Sequence, residues 1–323
     1  MGKCLHKNNR LKNIIEIQEF QQFDNLELIA RQVVEGFITG MHKSPFHGFS
    51  VEFAEHRLYN TGESTKHIDW KLFARTDKLF VKKYEEETNL RAHILLDISG
   101  SMLYPVSQKN RNSKLAFSIF SAAALIYMLR KQRDAAGITQ IADGIEWHSE
   151  AKVSASHSKY LFETLNQLLS QTERRQTKAS DSDKKTNLTK SIHLLAEKIH
   201  KRSLVILFTD MFESDNTDEL FSALQHLRYN KHEVILFHVH DSNSERKFDF
   251  PNRPHRFVDL ETGEVVKLNP ANIREEFEKR ATEFHNNIKL KCGQYQIDFV
   301  EADCSKDFSQ VLLPFLIKRG KLH

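Results

Sequence analysis

Apolar residues recur at helical spacing from Ile14 to Ile38, at Ile17, Phe20, Phe23, Leu26, Leu28, Ile29, Val33 and Phe37. This predicts one or two amphipathic helices, ended by Gly40 and the Lys43-Ser44-Pro45 run. Ser50 to Tyr59 reads as a strand, and Asp69 as the cap of a short helix over Trp70 to Arg75. Lys78 to Glu85 reads as extended. From Arg91 the pattern changes. His93 to Leu96, Leu204 to Phe208 and Val234 to Val239 are short, continuous apolar runs. Between and after them lie helical patterns over Lys114 to Arg130, Tyr160 to Leu169, Leu188 to Ile199 and Glu219 to Tyr229. Gly137 to Trp147 alternates about Asp143-Gly144, a hairpin signal. Gln171 to Lys185 is charged and patternless, as a loop is.

Strands that are apolar along their whole length belong to parallel sheets covered on both faces, and alternation with helices supports that architecture. The fold class expected is therefore α/β, a doubly wound and mostly parallel sheet with helices on both faces. An N-terminal helical and extended region over residues 1–90 precedes it, and the sheet domain occupies 91–323. Toward the C-terminus a hairpin is expected over Phe257 to Leu268, and a long helix opening at Pro270. A strand over Ile297 to Val300 and a closing helix over Phe308 to Lys318 follow.

Composition narrows the function classes. Hydrophobic residues make up 40% of the 323 residues, enough for an ordinary core, and 47 basic against 43 acidic residues leave a charge of only +4. Both signs are interspersed and no basic stripe alternates with aromatics, so a nucleic-acid partner is not expected. Cys4, Cys292 and Cys304 are widely spaced and contain no paired-cysteine motif, which argues against a zinc site or a disulfide framework. The N-terminus lacks an apolar signal core, and no apolar run reaches the roughly 18 residues of a membrane span. A soluble, cytoplasmic protein is the expectation.

Two expected strands end in oxygen-bearing residues: Leu95-Leu96-Asp97-Ile98-Ser99-Gly100-Ser101 and Leu207-Phe208-Thr209-Asp210. Ligands of open parallel sheets bind beyond the carboxyl ends of the strands, at a topological switch point. Thr186 stands before the Leu188 helix. Mg²⁺ takes oxygen ligands in near-octahedral geometry and keeps several waters. The hydroxyls of Ser99, Ser101 and Thr186 suit direct ligation, while Asp97 and Asp210 suit holding the ion's waters. A metal bound mainly by neutral groups stays strongly Lewis acidic and attracts an outside carboxylate.

This order of residues resembles the metal-ion-dependent adhesion site of von Willebrand factor A domains. Asp97, Ser99 and Ser101 match its first part, Thr186 its second and Asp210 its third. The chain departs from it at Lys184-Lys185 and at Met211, where glycines are usual. Upstream, Glu52-Phe53, Arg57, Tyr59, Gly62, Ile68-Asp69-Trp70-Lys71 and Ala74-Arg75 form a second signature. With the first, it resembles the bacterial family called domain of unknown function 58, over about residues 36 to 320. The signature reads as scaffold, with Asp69 capping a helix, Trp70 filling a core pocket and Arg57 or Arg75 pairing with carboxylates. A partner-docking role for Arg57, Tyr59, Asp69, Trp70 and Arg75 is the alternative.

The resemblance implies a metal-dependent protein-interaction module that binds Mg²⁺, with Mn²⁺ or Ca²⁺ as alternatives, and a partner presenting an acidic residue. It also implies that partner's class, a MoxR-type AAA+ ATPase chaperone system. No catalytic residue is assigned. The competing reading is a phosphohydrolase using Asp97, but Ser99 stands where such enzymes carry a second aspartate for acid–base work. Neither a phosphate-binding glycine loop nor a nucleophile elbow is present. His238 and His240 read as packing residues at a strand end.

Overall fold

The computed structural model describes residues 25–38, 55–60, 65, 68–83, 90–105, 113–175, 188–211, 217–259 and 263–322. The chain divides into two compact units, Phe46–Leu90 and the remainder, Met1–Pro45 with Arg91–His323. In chain order, α1 (Leu26–Ile38) belongs to the larger unit. The smaller unit holds β1 (Glu55–Leu58), α2 (Trp70–Thr76) and β2 (Phe80–Lys83). Strands β1 and β2 pair antiparallel, Glu55 opposite Lys83 and Leu58 opposite Phe80.

The rest of the larger unit runs β3 (Arg91–Asp97), α3 (Lys114–Lys131), β4 (Ala135–Ile141), β5 (Ile145–His148), α4 (Ala155–Arg175), α5 (Leu188–Lys198) and β6 (Leu204–Thr209). It continues with α6 (Thr217–Tyr229), β7 (Glu233–His240), β8 (His255–Val258), β9 (Val265–Leu268), α7 (Arg274–Gln294), β10 (Asp298–Asp303) and α8 (Phe308–Leu322). Six strands form one sheet in the order β10-β7-β6-β3-β4-β5. Every neighbouring pair is parallel except β4–β5, the hairpin that turns at Asp143-Gly144. The α/β, mostly parallel architecture expected from the apolar runs is the one observed. Strands β8 and β9 form a separate antiparallel hairpin.

Alternation along the strands divides the core into two layers. Leu95, Val205, Leu207, Val234 and Leu236 pack with Ile192 and Leu195 of α5 and Leu220 and Leu224 of α6. On the other face, the Phe237 ring stacks on Phe208 at 4.5 Å and meets Phe315 of α8 edge-on at 5.3 Å. Helix α3 lies in this second layer against β3, β4, α1, α4 and α8, and is buried from Lys114 through Leu129. A helix enclosed on all sides needs no polar face, which explains its run of Ala, Ile, Leu and Phe.

Helix α1 differs from the expected division at residue 90. Its Leu26, Ile29, Ala30, Val33 and Val34 are buried at heptad-like spacing, and the helix packs on α3. The Glu27 carboxylate meets Arg130 at 2.6 Å, and the Tyr127 hydroxyl donates to Glu35 at 2.9 Å. A second difference lies in the charged segment after Leu169. Helix α4 continues to Arg175, so the expected loop from Gln171 begins as helix, with Thr172 buried. Pro270 opens a 3₁₀ turn (Pro270–Asn272) ahead of α7 rather than α7 itself.

Candidate functional site

Strand β3 is the first strand of the sheet in sequence. The chain then adds β4 on one side of it and, later, β6 on the other. The gap between β3 and β6 is thus the switch point, where connections leave in opposite directions and a crevice opens at the carboxyl ends. Pairing of Leu96 with Phe208 sets Asp97 beside Thr209 at that end.

Asp97 is buried and both its oxygens are engaged. The Ser99 N–H donates to Oδ1 at 3.0 Å, and the Thr209 hydroxyl donates to Oδ2 at 2.7 Å. The first bond is an Asx turn, which bends the chain immediately after the strand. The Ile98 N–H still donates to the Ile141 carbonyl at 2.8 Å, so the bend starts from a fixed sheet edge. A 3₁₀ turn over Ser101–Leu103 follows, and the Ser99 and Ser101 hydroxyl oxygens stand 3.0 Å apart. Burial, with the nearby charge of Asp210, raises the Asp97 carboxyl to about 7, against the pull of its Thr209 and Ser99 hydrogen bonds.

Asp210 follows β6. Its Oδ2 accepts from the Lys114 ammonium at 2.7 Å, and its backbone carbonyl lies 3.1 Å from His238 Nε2. The same ammonium reaches Glu245 Oε1 at 2.6 Å, in the π-helical turn Ser242–Arg246 that follows β7. Lys114 is only 1% exposed. Burial works against its charge, yet Asp210 and Glu245 together hold the ammonium above the ordinary lysine range. Burial drives the Glu245 carboxyl upward, with Lys114 opposing.

The oxygens at this rim suit a hard divalent cation. The Ser99 and Ser101 hydroxyls are hydrogen-bonded to each other at 3.0 Å, a separation that also matches the about 3.0 Å between neighbouring ligands of an octahedral ion at about 2.1 Å. The donors are all oxygen. Among the described residues no group of three or more His, Cys, Asp or Glu side chains is placed to hold a metal, so an ion here would rely on hydroxyls and water. The residues present fit Mg²⁺ or Mn²⁺ better than a nitrogen- or sulfur-seeking metal.

Of the sequence-derived site residues, Asp97, Ser99, Ser101 and Asp210 come together at one rim, while Thr186 lies outside the described residues. The upstream signature lies in the smaller unit. There the Asp69 carboxylate caps α2, accepting from Lys71 and Leu72 N–H at 3.0 and 3.1 Å. Arg57 pairs in register with Val81, and the Tyr59 N–H donates to the Leu79 carbonyl at 2.9 Å. Arg75 is exposed in the last turn of α2. Trp70 is 61% exposed and touches Phe73 edge-on, instead of filling a core pocket. The buried His238 ring stacks on His240 and on the half-buried Phe299, and His285 is tilted against it.

Sequence reasoning missed Lys114, Thr209 and Glu245 as parts of the site. Lys114 carried a signal: it is a lone cation opening an apolar helix, where the helix dipole disfavours positive charge. Such a placement needs a carboxylate nearby. Nothing in the sequence says which one.

The profile of the family described as "Protein of unknown function DUF58" matches residues 55–287. Uncharacterized proteins of Mycobacterium bovis and Mycobacterium tuberculosis are 26% identical over 103 residues, 32% of this chain. The match also spans only 32% of the length of these curated relatives. A conserved hypothetical protein, BatB from Bacteroides thetaiotaomicron, matches with a TM-score of 0.41 and 16% identity, over 72% of this chain and 100% of that one.

Proposed function

We propose that this chain, which belongs to the DUF58 family of proteins of unknown function, is a metal-dependent protein-interaction module rather than an enzyme. The reading rests on one observation above the others. Two serine hydroxyls lie 3.0 Å apart on a turn braced by a buried aspartate, at the switch point of a parallel sheet. Ser99 and Ser101 would hold the ion directly, and Asp97 and Asp210 would hold its waters. Mg²⁺ is the proposed ion, with Mn²⁺ or Ca²⁺ able to take its place. Bound there, it supplies a Lewis-acidic position for a carboxylate of the partner. Both Asp97 oxygens already accept hydrogen bonds, which favours a positioning role over nucleophilic attack on phosphorus.

The proposed partner is a protein presenting an acidic residue, and the family resemblance points to a MoxR-type AAA+ ATPase. Among the described residues no helix is long and apolar enough to cross a membrane.

Calorimetric titration with Mg²⁺ and Mn²⁺ tests the site. The wild-type chain is expected to bind one ion. Asp97→Ala, and the double change Ser99→Ala with Ser101→Ala, should each lower affinity by at least about tenfold. Unchanged affinity in both would remove the assignment. Capture of partners with and without EDTA, read by mass spectrometry, tests the second half. Recovery of an AAA+ ATPase only when metal is present is the expected result, and equal recovery in EDTA would refute metal dependence.

A further inference from the structure

We propose that Lys114 is a tethered competitor of the divalent cation, releasing Asp210 and resting on Glu245 when the ion binds; this deepens the metal-site reading and rests on it. The geometry behind it is a single buried ammonium shared by two carboxylates on different strand ends. Lys114 Nζ stands 2.7 Å from Asp210 Oδ2 and 2.6 Å from Glu245 Oε1. Its position is constrained at the backbone, where its N–H donates to the Tyr104 carbonyl at 2.8 Å, and its ammonium lies 6.0 Å from the Tyr104 ring.

Glu245 is equally braced. Its second oxygen accepts the Asp241 N–H at 2.8 Å, and the Asp241 carboxylate accepts the Ser244 N–H at 3.1 Å and the Ser244 hydroxyl. A cation settling beside Ser99 and Ser101, with Asp210 holding its waters, would therefore meet an Asp210 already paired with the Lys114 ammonium. Two cations repel strongly in a buried setting. Relief requires that the lysine keep a partner, because stranding one buried charge is far costlier than exchanging partners. Glu245 is that partner. Lys114 then sets metal affinity: it weakens binding by holding Asp210, and Glu245 limits the penalty.

Removing the ammonium and removing its alternative carboxylate should have opposite effects on metal affinity. Titration of the full chain with Mg²⁺ and Mn²⁺ should show Lys114→Met binding about tenfold tighter than wild type, and Glu245→Gln about tenfold weaker. The thermal midpoint of Lys114→Met in EDTA should fall, and metal should restore more of it than metal adds to wild type. If wild type binds metal but Lys114→Met binds equally or more weakly, the competitor role is overturned and the metal site stands. If only Lys114→Met binds, the lysine blocks the site as proposed and the reading of wild type as metal-dependent fails. If no variant binds, both fail. Should Lys114→Met not fold, Glu245→Gln decides: weaker binding supports the exchange, while equal or tighter binding overturns it.

Discussion

Asp97 answers two demands at once. It must end a buried strand, and it must bend the chain that follows. Its two oxygens divide these tasks, Oδ1 holding the Ser99 turn and Oδ2 holding β6 through Thr209. The Thr209 hydroxyl also accepts the Met211 N–H at 3.1 Å, so a single side chain ties both strand ends together. Thr209→Val keeps the shape and removes that tie. It leaves a buried carboxylate oxygen without its donor, so stability should fall by about 2 kcal/mol in urea denaturation. A loss within experimental error would mean that the hydroxyl does not support the aspartate. Asp69 offers a simpler case in the smaller unit. It caps α2 twice, and Asp69→Ala should cost about 1 kcal/mol of local stability, seen as faster amide exchange at Lys71 and Leu72.

At the scale of elements, the segment that follows β5 passes close against β4. A side chain on Gly137 of β4 would place its Cβ 2.7 Å from the Ser149 carbonyl oxygen and 3.0 Å from Ala151 N. Both are backbone atoms and cannot swing away. The Ser149 N–H also donates to Ile138 O at 2.9 Å, and its hydroxyl accepts the Ile138 N–H at 3.1 Å, so the approach is locked. Gly137→Ala should therefore destabilise the larger unit by about 1–3 kcal/mol, measured by thermal unfolding. Wild-type stability in that variant would show that the β5 side of the hairpin can yield. Helix α3 shows the complementary case. Its enclosure by sheet and helices lets it dispense with a polar face, except at Lys114, where the site begins.

Over the whole molecule, buried histidines link stability to pH. His93 lies inside the sheet, its ring stacked with His148 at 6.2 Å. Burial, with His148, His232, His200 and Arg91 adding like charge, lowers it from 6.5 to about 3. His238 is lowered to about 3 as well, by burial and by His240 and His285. Between those values the unfolded chain binds protons that the folded chain refuses. Stability from these groups is complete above pH 6.5 and declines as pH falls toward 3. Each group contributes a loss of about 1.4 kcal/mol one unit below its unfolded value. Asp97, raised to about 7, acts in the opposite sense over this range, so the histidine share is read by difference: lowering the pH from 7.5 to 5.5 should cost wild type more stability, in denaturant midpoint, than it costs His93→Gln. An identical pH response in the two proteins would remove His93 from this linkage.

The parts of the chain that depend on local periodicity were legible before any fold was known. Apolar runs without alternation marked β3, β6 and β7 as strands covered on both sides, since only a doubly covered strand tolerates them. Asp69 read as a cap and Asp143-Gly144 as a hairpin because those signals act over a few residues. Asp97, Ser99, Ser101 and Asp210 were visible as strand-end oxygens. What tertiary structure decided was company. Lys114 meets Asp210 and Glu245 across 96 and 131 residues. The strand order that brings them together follows from packing the whole sheet, not from any segment. The docking of α1 on α3 and the exposure of Trp70 are of the same kind. An apolar face or an aromatic ring says that it can be buried, but only the packed molecule determines against what.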